Sequence, residues 1–178
     1  MENRGMMCRF GFIAIVMLVL SLAFTGTLLA QGKFTVSSSA VEKGGALPKD
    51  YTCDGARNSP PVEWSGAPAG TKYFAMNLWH KAPDKMKCYW LIYNIPADVT
   101  SLPINAKGIG KNGLNSKDKP DYDPMCSKGS GTKEYNITVY ALSAEPKFAS
   151  DKVKRDDLLE AIKGITLAED TLDYTVTR

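Results

Sequence analysis

Histidine is almost absent from this sequence, which contains only His80. A single imidazole excludes histidine-rich metal sites and most acid–base schemes built on several histidines. The sequence also lacks a P-loop, a dinucleotide-binding glycine pattern, a Gly-x-Ser-x-Gly nucleophile turn and a Cys-x-x-Cys pair. Its net charge is only +3 and its lysines are spread along the chain, so nothing indicates nucleic-acid binding. We therefore expect no catalytic residue, no metal and no cofactor, and interpret the chain as a binding or interaction protein.

The first thirty residues have the order of a secretory signal sequence. Arg4 and Arg9 precede an almost unbroken apolar run over 10–24, and small and polar residues follow as far as Ala30. This order predicts cleavage after Ala30, which leaves residues 31–178 as a single exported domain, periplasmic or secreted, without stable membrane insertion. The alternative is an uncleaved anchor, because the apolar run approaches the roughly 20 residues that span a bilayer.

Cysteine is scarce, and three cysteines lie beyond the predicted leader: Cys53, Cys88 and Cys126. An oxidising compartment permits one disulfide and leaves one thiol, and the residues alone leave all three pairings open. A metal site formed by Cys88, Cys126 and His80 is a weaker alternative.

Short apolar segments separated by glycine, proline and aspartate indicate a mostly β domain. Strands are predicted at 72–79, 88–95, 135–142 and 172–177, and the only clear helical pattern covers 156–163. The second strand is apolar on both of its faces, which is typical of a central strand covered on both sides. Residues 103–125 form a long irregular segment. This organisation predicts an antiparallel β-sandwich with a late helix.

Five segments of the sequence carry a family resemblance in their order and spacing. They are LPKDYTCDG at 47–55, NSPPVEW at 58–64, APAGTK at 67–72, YWLIYNIPA at 89–97 and YNITVYAL at 135–142. Together they resemble the phosphatidylethanolamine-binding protein family, in its bacterial Raf-kinase-inhibitor-like branch, from about Phe34 to Arg178. The resemblance implies an antiparallel sandwich with a C-terminal helix. It also implies a small pocket at one end that receives a phosphate or a phospholipid headgroup.

The residues that line this pocket in the family are largely replaced here. The D-P-D-A-P turn aligns with 79–83, the H-W pair with Tyr89 and Trp90, and the H-R-Y strand start with 133–135. Two acids and two histidines are therefore missing, and lysines would supply the positive charge. The resemblance implies a degenerate ligand site formed by Trp79, Lys81, Tyr89, Lys133, Glu134 and Tyr135.

Two interpretations of such a site remain. Either the altered pocket still binds a small anion or lipid headgroup, or Trp79 fills the pocket and the chain is an interaction or structural protein with a protein partner. Anion binding would vary little with pH, because only His80 lies near the replaced positions. The resemblance further implies a disulfide between Cys53 and Cys126, because bacterial relatives often have a cysteine in both places, with Cys88 left as a buried thiol.

Overall fold

A computed structural model describes residues 32–126 and 129–178, so the predicted leader lies outside the described residues. Within them the chain forms eight strands, a 3-10 turn at Lys49–Tyr51 and one α-helix. The elements are β1 (Thr35–Ser37), β2 (Val62–Ser65), β3 (Tyr73–Lys81), β4 (Met86–Pro96), β5 (Ser101–Leu102), β6 (Lys111–Asn112), β7 (Thr132–Leu142), α1 (Arg155–Ala161) and β8 (Thr166–Thr177).

The strands form two antiparallel sheets, as the sequence predicts. The small sheet has the order β1-β2-β5, and the large sheet has the order β6-β4-β3-β7-β8. The core between them includes Trp64 of β2 and Phe74 of β3, whose ring centroids are 5.3 Å apart. The predicted irregular segment at 103–125 contains only the short strand β6.

Strand β4 is covered on both faces, which confirms the prediction made from its two apolar sets. Trp90 and Ile92 belong to the core between the sheets. Leu91 and Tyr93 belong to a second core, which also contains Leu158 of α1. The side chains of a strand point alternately to its two faces, so this single strand connects the two cores.

The end of the chain differs from the prediction. Helix α1 is shorter than the predicted 156–163, and Gly164, with a φ of 78°, lies just beyond it. Strand β8 then begins at Thr166, six residues before the predicted strand, and pairs with β7 along its whole length. The polar residues Glu169, Asp170 and Thr171 obscured the first half of β8. The last element of the domain is therefore a long strand that follows the helix.

Among the described residues, no helix is long and apolar enough to cross a membrane.

Candidate functional site

Strand β3 directs His80, and not Trp79, toward the predicted pocket. Residues along a strand alternate between its two faces, and Leu78 of β3 lies in the core between the sheets. His80 shares this face, and its ring centroid lies 4.9 Å from that of Tyr135. The Trp79 side chain points to the opposite face, where its Nε1 donates a hydrogen bond to Oγ1 of Thr138 at 3.0 Å. Trp79 therefore does not plug the pocket.

The predicted set of six residues is thus divided between the two faces of the large sheet. Lys81 lies on the Trp79 face of β3 and is exposed, so the expectation that Trp79 and Lys81 converge with Tyr135 is wrong. The alignment with the family gives positions along the chain but not the face to which each residue points. Lys133 shares the face of Tyr135 on β7, whereas the Glu134 side chain lies on the other face.

An irregularity in β4 brings Tyr89 into the site. Leu78 pairs with Trp90 and Trp79 pairs with Cys88, so Tyr89 has no residue opposite it on β3. Such a bulge redirects side chains locally, and both Tyr89 and Trp90 reach the core between the sheets.

Tyr135 lies at the centre of a cluster of rings. Its ring centroid is 4.9 Å from His80, 5.4 Å from Tyr89 and 6.0 Å from Tyr174. Tyr135 is completely buried, while His80 is half-buried. We call His80, Tyr89, Tyr135 and Tyr174 the tyrosine–histidine site.

The hydroxyl of Tyr135 is buried, and no described residue meets it in good hydrogen-bonding geometry, although the Tyr89 phenol is near enough to interact with it weakly. Leaving such a group unpaired costs roughly 1–3 kcal/mol. Two neighbouring groups of the cluster have partners outside it. The Tyr174 hydroxyl donates to Sδ of Met125 at 3.3 Å, and Nδ1 of His80 lies 2.7 Å from the carbonyl oxygen of Glu134.

A carbonyl oxygen only accepts hydrogen bonds, so Nδ1 of His80 carries the proton in this contact and Nε2 is left for another partner. Glu134 therefore contributes its backbone carbonyl to the site.

The Cys53–Cys126 disulfide is present next to this cluster. The two Cα atoms are 5.4 Å apart, within the range that a disulfide requires. Thr52 and Met125, the residues just before the two cysteines, form an isolated parallel bridge. Because Cys126 is bonded to Cys53, a metal site of Cys88, Cys126 and His80 is ruled out. Among residues 32–126 and 129–178, no three His, Cys, Asp or Glu side chains are grouped so that they could hold a metal ion.

Comparison with known proteins agrees with this architecture. The family model described as phosphatidylethanolamine-binding protein matches residues 37–177. This chain belongs to the phosphatidylethanolamine-binding protein family.

Two relatives and two solved structures show the extent of the similarity. A UPF0098 protein of Methanothermobacter thermautotrophicus is 35% identical over 132 residues, which cover 70% of this chain and 86% of that protein. A UPF0098 protein of Aquifex aeolicus is 32% identical, over 75% of this chain and 82% of the relative. The Chlamydia trachomatis homologue CT736, described as a putative phosphatidylethanolamine-binding protein homologue, superposes with a TM-score of 0.77 at 27% identity, over 82% of this chain and 98% of the other. Escherichia coli YbcL, described as a member of the mammalian family, superposes with a TM-score of 0.75 at 25% identity, over 83% and 99%.

In this member of the phosphatidylethanolamine-binding protein family, Tyr89 and Tyr174 of the site remain protonated at neutral pH. Burial raises the pKa of Tyr89, and the neighbouring Tyr135 phenol raises it further. Burial likewise raises the pKa of Tyr174 well above its ordinary value. Both phenols are therefore neutral, and the Tyr174 proton is already donated to Met125.

The third cysteine is a buried free thiol, as the resemblance implies. Cys88 lies in β4 and donates a weak hydrogen bond from Sγ to the Trp90 carbonyl at 3.6 Å. Burial raises the pKa of this thiol to about 11. Because the thiolate is the reactive form, Cys88 is inert near neutral pH.

His80 lies in the candidate site but is not among the six residues predicted for it. The predicted strand ends at 79, whereas the structure extends β3 to Lys81. Alternation along β3 beyond Leu78 places His80 on the pocket face.

Proposed function

We propose that this chain is an exported, non-enzymatic binding protein that holds a small phosphate-like anion, either free or as a lipid headgroup, at the tyrosine–histidine site. The observation that carries the proposal is the buried, unpaired hydroxyl of Tyr135. An anion oxygen supplies the acceptor that this donor lacks, and a buried polar group without a partner is otherwise costly.

Positive charge for the anion comes from the same side of the sheet. Lys133 lies two residues before Tyr135 on β7 and shares its face. His80 offers Nε2, which becomes a donor when the ring is protonated. Tyr135 is fully buried and His80 is half-buried, so we expect a ligand to approach from the side of the His80 ring. The family name supports phosphoethanolamine as the organic form to test.

Export is supported by two independent features. The first thirty residues have the pattern of a cleaved signal sequence, and a disulfide between Cys53 and Cys126 suits an oxidising compartment. The proposal that the protein is not an enzyme rests on the sequence, in which we find no candidate pair of a nucleophile and a general base.

Titration with inorganic phosphate and with phosphoethanolamine, followed by amide shifts in NMR spectra, tests the binding proposal. We expect saturable shifts at His80, Tyr89 and Tyr135, with a millimolar Kd that rises with salt because a partly exposed ion contact contributes only ~1 kcal/mol. Lys133→Ala should weaken binding several-fold. The matched control Lys81→Ala should leave it unchanged, because Lys81 lies on the opposite face.

The position of His80 gives a second test of the proposal. His80→Gln should weaken phosphate binding several-fold, because it removes Nε2, the ring atom that the contact of Nδ1 with the Glu134 carbonyl leaves for another partner. An affinity equal to that of the parent protein would show that His80 takes no part.

A second candidate function is a pocketless interaction module. The observation that favours it is the complete burial of Tyr135 beneath its neighbouring rings. Amide shifts that stay flat up to tens of millimolar phosphate and phosphoethanolamine would favour this module over anion binding.

A further inference from the structure

A cavity lies at the edge of the large sheet, and Tyr135 is not among the residues that line it. It has a volume of about 600 Å³ and lies between the start of β4, the segment 114–126 and residues 154–156. Its walls include Lys87, Cys88, Leu114, Ser116 and Arg155. We call it the arginine cleft. Tyr89 borders both this cleft and the tyrosine–histidine site.

The arginine cleft has more positive than negative side chains. Five cations line it, namely Lys85, Lys87, Lys117, Lys154 and Arg155, together with the acids Asp118, Asp123 and Asp156. Each acid already pairs with one cation at 2.8 to 3.2 Å: Lys117 with Asp123, Lys154 with Asp118, and Arg155 with Asp156. Lys85 and Lys87 make no ion pair within the described part of the chain. The cleft therefore carries uncompensated positive charge.

Arg155 is held in a fixed position in this cleft. Its guanidinium carbon lies 5.3 Å from the ring centroid of Trp79, a stabilising cation–π contact. The Arg155 side chain is only 17% exposed, whereas its partner Asp156 is 92% exposed, so their ion pair is weak. The Nε atom of Arg155 is buried and finds no hydrogen-bond partner in the described residues. Arg155 is thus a cation in a fixed orientation, and its Nε–H is a hydrogen-bond donor without a partner among the described residues.

The remaining walls combine apolar surface with one hydroxyl. Leu114, Met86 and the protonated thiol of Cys88 supply the apolar part. Ser116 Oγ accepts a hydrogen bond from the Cys88 amide at 2.8 Å, which leaves its own proton to donate. A bare phosphate ion would occupy only a small part of this volume, whereas an organic body would contact the apolar wall.

We infer that the arginine cleft is a second binding site, for a small organic oxyanion whose phosphate or carboxylate group contacts Arg155 and Lys87. The planar guanidinium recognises both oxyanions through paired hydrogen bonds. The apolar body of the ligand packs on Leu114 and Met86. Trp79 supports Arg155 in this cleft. It does not line the pocket that the family resemblance implies. The inference does not rest on the proposed function, because Arg155 packs on Trp79, whose side chain lies on the opposite face of the large sheet from Tyr135.

Calorimetric titration with phenyl phosphate and with benzoate tests this inference, using protein isolated from cells that express the full chain. At least one of the two should bind, more tightly than neutral phenol. Arg155→Ala should weaken that binding about tenfold or more, the loss of one charged hydrogen-bonding group. Arg155→Lys should recover part of the affinity, because charge returns without the planar fork.

Two further variants separate the arginine cleft from folding defects and from the tyrosine–histidine site. Lys87→Met keeps most of the apolar stem and should weaken binding several-fold even if Arg155→Ala folds poorly. Because Lys87 lies opposite His80 on β4, the separation from the tyrosine–histidine site depends on Tyr135→Phe. Lys107→Ala, at an exposed position outside the cleft, should have no effect. Tyr135→Phe should leave intact the binding that Arg155→Ala weakens. Four results would overturn the inference. They are equal binding of phenol, unchanged affinity in both Arg155→Ala and Lys87→Met, loss of this binding in Tyr135→Phe, and the absence of saturable binding.

Discussion

Reduction of the Cys53–Cys126 disulfide is expected to lower the free energy of unfolding by about 4 kcal/mol. The bond joins residues that are 73 positions apart, and closing a loop of this length removes a large part of the conformational entropy of the unfolded chain. A typical domain has a free energy of unfolding of only about 5–15 kcal/mol, so the loss is severe. The bond also flanks Met125, which accepts the hydrogen bond from Tyr174, so reduction should loosen the tyrosine–histidine site.

Urea unfolding with and without reductant measures this loss, and thiol counting checks its basis. The unfolded, unreduced protein should have one reactive thiol among Cys53, Cys88 and Cys126, whereas the native protein should show none from this set at neutral pH. Cys88→Ala serves as the matched control and should keep the full sensitivity to reductant. Three reactive thiols in the unreduced protein would show that the disulfide is absent.

The free energy of unfolding should fall steeply as the pH rises above 9. Burial raises the pKa of Cys88 from 9.0 to about 11 and also raises the pKa values of Tyr89, Tyr122 and Tyr174. The folded state therefore keeps these protons after the unfolded state has lost them. The resulting stability is complete below the unfolded pKa values and is lost as the pH rises through the folded ones.

The Cys88 thiol alone accounts for about 3 kcal/mol, since each unit of pKa difference corresponds to about 1.4 kcal/mol. The tyrosines add to this loss at higher pH. Urea unfolding at pH 8, 9, 10 and 11 gives the profile, and the Cys88→Ala variant should show a smaller loss between pH 9 and 11. A free energy of unfolding that stays constant from pH 8 to 11 would contradict the burial of these groups.

Much of the fold was predictable because a few segments are strongly patterned. The two apolar faces of β4 predicted a strand between two cores, and Leu91 and Ile92 occupy those cores. The family resemblance gave the disulfide partners, because it carries information on distant contacts that composition does not. The start of β8 was missed because Glu169 and Asp170 are polar although they lie in a paired strand.

The candidate site was predictable only in part. Alignment with the family predicted Tyr89, Lys133 and Tyr135. Whether Trp79 or His80 belongs to the site depends on which face of β3 each residue occupies. That choice follows from strand register, which an aligned motif does not specify. The arginine cleft was not predictable at all, because its walls come from three separate segments that meet only in the folded chain.

The unpaired hydroxyl of Tyr135 is the central claim, and unfolding of Tyr135→Phe in the absence and presence of phosphate tests it most directly. Removing a buried donor without a partner should raise the free energy of unfolding of the ligand-free protein by about 1 kcal/mol, and phosphate should no longer add stability. The matched control is Tyr140→Phe, because the Tyr140 hydroxyl accepts a hydrogen bond from Asn77 Nδ2 at 3.1 Å; this variant should lose stability but keep the phosphate effect. A Tyr135→Phe protein that loses stability as Tyr140→Phe does, or that phosphate still stabilises as much as the parent protein, would contradict the account.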